Sequence, residues 1–409
     1  MPQRGMERTE PTTEFTRAAI AVVGLCFVLN TLARGNGETF AVFYGPLLDD
    51  LGWGRAATAS LYSVFMIALG FSGPVVGALF DRYGPRLIYV GGLVAYGAGF
   101  LIASHMGSLW QGWLGLGLLC GFGAAATGMT PATGIISRWF TRNMAFAISF
   151  AYSGLAFGSI LLAPLSGWMI SVGGWRWTYQ VLGLALLGLG AVVAFLPWGS
   201  IGQGVKAPLP PRPLLPDPAV FRRAAFWGLF LIFYLTSTTT YIVQVQSVVY
   251  LQEAGYSRVV ATLAFGVNSM LSVIGIIGAG WLADRIGHAK TATLGYGLTI
   301  LGITGLVVLS EGPHPLFLGL YLLCFGGAMG SRGPVVSSLS AQLFEGQVGA
   351  VFGLVMIGLG LGGATGAWLA GLLYELTGGY TASLITAAGA SILGTVLFWV
   401  IPEITGSKT

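Results

Sequence analysis

The chain has 409 residues, of which 55% are hydrophobic and only 8% charged, and its formal net charge is +5. A soluble domain carries about 25% charged residues, so this composition excludes a soluble enzyme and points to a chain that lives in a bilayer. The three cysteines, Cys26, Cys120 and Cys324, lie in apolar runs without motif spacing. They read as small buried hydrophobes, and neither a disulfide frame nor a metal or cofactor site is expected.

Residues 1–17 are polar and read as an N-terminal tail. The first apolar run, 18–46, would be roughly 43 Å long as a helix, which crosses a bilayer with some tilt and is too long for a signal peptide. In its middle stands Arg34-Gly35-Asn36-Gly37-Glu38. Arg34 and Glu38 are four residues apart, hence on one face of the helix. Charges at that depth are costly and face a protein interior or a water-filled cavity.

Eleven further spanning segments follow at about 56–80, 87–105, 109–138, 143–171, 176–198, 224–252, 257–281, 289–310, 315–343, 347–375 and 381–402. Between the sixth and seventh, Gly199–Arg223 contains Pro208, Pro210, Pro211, Pro213, Pro216 and Pro218. That composition predicts a semi-rigid extended tether between two six-helix halves, 18–198 and 224–402, with a short tail at 403–409. With the N-terminus inside, the cytoplasmic segments hold Arg82, Arg86, Arg138, Arg142, Arg222, Arg223, Arg285 and Lys290, while the outer loops hold Arg55, Arg176 and Arg258. The positive-inside bias therefore places both termini in the cytoplasm. The positive charge reads as a topology signal, with no basis for nucleic-acid binding.

The halves repeat one another at an offset of about 204 residues. Gly77-Ala78-Leu79-Phe80-Asp81-Arg82-Tyr83-Gly84 returns as Gly280-Trp281-Leu282-Ala283-Asp284-Arg285-Ile286-Gly287, Leu51-Gly52-Trp53 matches Ala254-Gly255-Tyr256, and Gly154 corresponds to Gly358. Several matches at one offset signal internal duplication, the plan of one large transporter class. The fold class expected is an all-α membrane protein with twelve transmembrane helices in two pseudo-symmetric six-helix bundles.

The duplicated Gly-x-Leu-x-Asp-Arg-x-Gly loop resembles the signature loop of the major facilitator superfamily, and with the twelve segments and the linker the resemblance covers essentially the whole chain. It implies that Asp81, Arg82, Asp284 and Arg285, with Arg142 in the next cytoplasmic loop, hold the halves closed on the cytoplasmic side. It also implies that helices 1, 4, 7 and 10 surround a central cavity. Trp139-Phe140-Thr141-Arg142 followed by Ala147, Ala151 and Gly154 is similar to a loop and small-residue helix of monocarboxylate porters. The eighth segment departs from that branch, having Asn268, Ser269 and Ser272 but no Asp or Arg between Arg258 at its outer end and Asp284.

Sorted by depth, the charges well inside the membrane are Arg34, Glu38 and Arg332. Arg332 lies in Gly330-Ser331-Arg332-Gly333-Pro334, where Pro334 removes a backbone donor and favours a kink. Given the cavity that the resemblance implies, Arg34 and Arg332 face it from opposite halves, and guanidinium forks suit a carboxylate. Glu38 is the sole carboxylate at depth and the expected proton carrier. Thr127, Tyr241, Gln244 and Asn268 are the expected polar neighbours, and each has a plain alternative as an interhelical hydrogen-bond partner. No phosphate loop, metal cluster or nucleophile constellation appears, so the chain is not expected to be an enzyme and transport must run on a gradient. The resulting expectation is a multi-pass inner-membrane carrier, acting as a monomer, that moves a small organic anion such as a monocarboxylate together with a proton. Anion exchange, export of an amphiphilic compound, and a non-transporting metabolite receptor are the alternatives.

Overall fold

The computed structural model describes residues 17–140, 144–203, 217–344 and 348–405, apart from certain side chains within its helices, among them those of Arg34, Asp81, Tyr152 and Asp284. Eleven helices among the described residues are long and apolar enough to cross a membrane. One of them, Ser153–Ala194, is 42 residues long and breaks at Gly174 (φ 77°), so it crosses twice. All twelve expected segments are therefore present. They are α1 (Arg17–Leu51), α2 (55–83), α3 (85–104), α4 (109–139), α5 (144–173) and α6 (175–194) in the first half. The second half has α7 (Ala224–Glu253), α8 (Arg258–Ile286), α9 (His288–Leu309), α10 (315–343), α11 (Val348–Thr377) and α12 (Thr381–Val400).

The duplication is visible in the backbone. Gly52 and Gly255, Gly84 and Gly287, and Gly174 and Gly378 all have positive φ, a region that admits glycine without the steric cost of a Cβ. The members of each pair stand 203 or 204 residues apart, so the same left-handed turns end the same helices in both halves. Close helix packing repeats too. A Cβ on Gly158 of α5 would stand 2.9 Å from the Thr31 carbonyl carbon of α1, and one on Gly362 of α11 would stand 2.8 Å from that of Tyr234 on α7. Small residues here replace the hydrophobic drive that helices lack inside lipid.

The halves meet along α2 with α11 and α5 with α8. Gly70 and Gly360 pass so closely that a Cβ on Gly70 would lie 3.3 Å from the Gly360 Cα, and Ser63 Oγ donates to the Ala364 carbonyl at 2.7 Å. On the other flank, a Cβ on Gly266 would be 3.0 Å from the Ile160 Cα.

The linker departs from a uniform tether. Its residues 204–216, with Pro208, Pro210, Pro211, Pro213 and Pro216, lie outside the described residues. Trp198–Gln203 is helical, and Pro218–Arg222 forms a 3-10 turn in which the Asp217 carboxylate accepts from the Ala219 N–H at 2.8 Å. Val220 is buried, and Arg223 donates to the Leu343 carbonyl at 2.6 Å and pairs with Glu403 at 2.7 Å. One apolar side chain and one forked cation thus dock the end of the linker on the second half.

Candidate functional site

α1 loses one turn of regular bonding at its middle. Thr39 Oγ donates to the Asn36 carbonyl at 2.7 Å, the acceptor that the Phe40 N–H would use in an unbroken helix. Glu38 sits at this interruption and is only 5% exposed. Its partners come from the opposite half: the Tyr241 hydroxyl donates to Oε1 at 3.2 Å and Gln244 Nε2 donates to Oε2 at 2.7 Å. Tyr241 and Gln244 are three residues apart on α7, hence on one face, which is why both reach one carboxylate. A buried carboxylate is tolerable when both oxygens accept hydrogen bonds. Because α1 and α7 belong to different halves, the same bonds also tie the halves together at mid-membrane.

The sequence expectation therefore brought together residues that the fold does join: Glu38, Tyr241 and Gln244. The Arg34 side chain is outside the described set; its place in the helix is one turn before Glu38. Gln244 Oε1 is buried without a hydrogen-bond partner. Aromatic rings wall this level, with Tyr62 of α2 5.4 Å from Tyr241 and 5.3 Å from both Phe40 and Phe65.

Three other expected site residues are not at this carboxylate's hydrogen bonds. Thr127 Oγ donates to the Gly123 carbonyl one turn earlier at 2.8 Å, the ordinary back-bond of a buried helical threonine. Asn268 Nδ2 donates to the Tyr321 hydroxyl at 2.9 Å and so ties α8 to α10. Arg332, 1% exposed, was expected across the cavity from Arg34, but its guanidinium points into the second half. It donates to Thr299 Oγ at 2.9 Å and the Gly295 carbonyl at 3.4 Å and lies 4.5 Å from the Tyr296 ring centre, all on α9. The physical reason is that α9 offers a hydroxyl, a carbonyl and an aromatic face within reach, just after a 3-10 turn at Gly330-Ser331.

Of the residues expected to gate the cytoplasmic side, Arg142 and the side chains of Asp81 and Asp284 lie outside the described set. Arg82 and Arg285 are exposed and lie against Tyr83 at 5.3 Å and Trp281 at 4.0 Å, aromatic residues at non-matching positions of the two halves. The other end of the molecule holds a cluster that the sequence reading did not single out. Arg55, opening α2, pairs with Glu253 at 2.7 Å, donates to the Tyr380 hydroxyl at 2.9 Å, and stacks over Tyr374 at 3.6 Å. Next to it the Ala56 N–H donates to Glu375 at 2.9 Å. A cleft of about 700 Å³, lined by Asp49, Trp53, Arg258 and Glu375 among others, opens beside this cluster. The one signal in the sequence was a basic residue in loops otherwise nearly free of them.

The comparisons with known proteins agree on the family. The family model described as Major Facilitator Superfamily matches residues 23–345. The chain is 28% identical to monocarboxylate transporter 13 of Bos taurus, covering 93% of this chain and 89% of that one. It is 29% identical to monocarboxylate transporter 11 of Homo sapiens, covering 93% and 82% respectively. A fujikurins efflux protein of Gibberella fujikuroi is 28% identical over 85% of this chain and 73% of its own. Among solved structures, a variant of the nucleoside transporter NupG superposes with a TM-score of 0.78 at 15% identity, covering 93% of this chain and 99% of that one. That last likeness concerns the fold alone.

Proposed function

Because the chain belongs to the major facilitator superfamily, we propose that it is a secondary carrier that moves a small organic anion, of the monocarboxylate class, in symport with a proton by alternating access. The observation that supports this most is the buried Glu38 carboxylate, held by Tyr241 and Gln244 across the two halves. The relatives named monocarboxylate transporters support the substrate class.

Ionised Glu38 accepts from both α7 donors. Protonation turns one carboxyl oxygen into a donor, and Gln244 with its amide turned round offers Oε1, unpartnered here, as the matching acceptor. The link between the halves is thereby remade with its direction reversed, which couples protonation to the packing of α1 on α7. Arg34, one turn away on α1, supplies the fork for the substrate carboxylate, and ionised Glu38 competes with the substrate for it. Proton and anion then strengthen each other's binding equally, by linkage. The end that holds Arg55 is the outer one, closed in this state, and both termini are cytoplasmic in the inner membrane; Asp81, Arg82, Asp284, Arg285 and Arg142 close the opposite end in the alternate state.

The test is uptake of radiolabelled pyruvate and lactate into proteoliposomes holding the purified chain and a trapped pH indicator. Uptake that acidifies the lumen supports symport. Uptake with no lumenal pH change, driven only by a trapped counter-anion, replaces symport with exchange.

A further inference from the structure

We propose that Arg332 is a positioning residue that splints the break in α10 onto α9, and that it sets the rate of the carrier's rearrangement instead of binding the substrate. The break has a local cause. Pro334 has no N–H to offer the Gly330 carbonyl, which accepts from the Gly333 N–H at 3.2 Å, while Ser331 N–H reaches the Ala328 carbonyl at 3.1 Å. Both bonds span three residues, so regular α-helix stops after Met329 and resumes at Arg332. The carbonyls at the end of the first piece would face a dry interior, where each unpaired one is expensive.

The Ala328 carbonyl at that end already accepts from the Ser331 N–H and from Ser331 Oγ at 2.7 Å, and Arg332 adds a charged donor to it. Its Nη1 donates to the Ala328 carbonyl at 2.5 Å and to Ser331 Oγ at 3.2 Å, placing a cation at the negative end of the first helical piece. Nη1 also meets the Gly295 carbonyl at 3.4 Å, and Nη2 donates to Thr299 at 2.9 Å. The guanidinium plane lies against Tyr296, whose hydroxyl is within 2.6 Å of Thr236 Oγ on α7. Room for this comes from Gly295, where a Cβ would stand 2.7 Å from Ser331 Oγ. Among the described residues no carboxylate pairs with Arg332; every partner is neutral and belongs to α9 or to α10 itself. One flat fork thus closes the chain break and pins both pieces to a neighbouring helix.

The first half makes the contrast. Pro131 lies 203 residues before Pro334, and α4 breaks beside it at Gly128 (φ −92°, ψ −144°). The place of Arg332 is taken there by Met129, which is 42% exposed. Among the described side chains, which do not include that of Arg34, no cation bonds across the break in α4, whereas the break in α10 is clamped. The two halves are therefore unequal at matching joints, and the second half moves α9 and α10 as one body.

The test uses the full-length chain in lipid nanodiscs for hydrogen exchange and in proteoliposomes for pyruvate uptake, with Arg332→Lys, Arg332→Met, Gly295→Ala and Thr299→Val. A lysine keeps the charge but cannot span Ala328 and Thr299 together. Expected is exchange about tenfold faster in 327–335, with α1 and α7 unchanged. Pyruvate turnover should fall about tenfold with KM within about twofold of the parent. Unchanged exchange in Arg332→Lys and Gly295→Ala overturns the splint, and so does a raised KM at preserved turnover, which would return Arg332 to the binding site. If Arg332→Met does not fold, Gly295→Ala and Thr299→Val still decide, because both leave the arginine in place. The transport arm rests on the carrier reading above; if the parent chain moves no pyruvate, that substrate reading fails while the exchange arm still judges the splint.

Discussion

Replacing Arg55 should release the end of the molecule at which the halves are latched. Every side chain that its guanidinium engages, Glu253, Tyr374 and Tyr380, belongs to the second half, whereas Arg55 belongs to the first. The Glu253 pair is partly open to solvent, with side-chain exposures of 18% and 41%, so it contributes no more than about 1 kcal/mol. A charged donor to the Tyr380 hydroxyl adds about 1 kcal/mol and the stacking on Tyr374 a further ~0.5 kcal/mol. Loss of about 2 kcal/mol from the closed form alone shifts its equilibrium with the open form roughly 30-fold. The assay places spin labels at Gly107 and Glu311, on the α3–α4 and α9–α10 connections of opposite halves at this end. Arg55→Met should add or enlarge a long-distance population, and Glu253→Gln on top of it should add little, since the pair is already broken. An unchanged distance distribution in Arg55→Met would refute the reasoning and reduce the cluster to surface contacts.

Gln244→Leu removes a donor that favours ionised Glu38, so by linkage pyruvate affinity should rise by about 1–3 kcal/mol equivalent, read as a lowered KM in uptake assays. Gly362→Val places a branched side chain against the Tyr234 backbone and should destabilise the detergent-solubilised chain by about 1–3 kcal/mol through overpacking, read as a lowered thermal midpoint; the exposed Gly199→Val should leave it unchanged. Charge reversal at Asp81 should change the balance of states at the Gly84 end, read by cysteine accessibility there, without changing which anion is preferred.

The crossings were legible because a bilayer demands about twenty apolar residues per helix, and length with composition reads that directly. The duplication was legible for a related reason: tight turns need glycine, so Gly84 and Gly287 recur at one offset whatever else changes between the halves. Depth also singled out Glu38, since a lone carboxylate in an apolar run stands out. What depth could not tell was direction. Arg332 was marked by the same logic, yet its side chain is taken up by Thr299 and Tyr296 of α9. Pro334 announced that a break would exist without saying which way the next turn would face. The Arg55 cluster was invisible for another reason. Its partners come from residues 253, 374 and 380, and a sequence holds no record of which distant loops close over one another.

Glu38 is the group proposed to join proton to anion across the α1–α7 contact, and one variant addresses that role directly. Glu38→Gln keeps the shape and the uncharged state of the protonated side chain and can still bond Tyr241 and Gln244. In proteoliposomes given an inward proton gradient, the parent chain should concentrate radiolabelled pyruvate above its external level. The Glu38→Gln variant should exchange internal for external pyruvate at a comparable rate and yet accumulate none. Accumulation by the variant equal to that of the parent would contradict the account, leaving Glu38 as a structural tie between the halves.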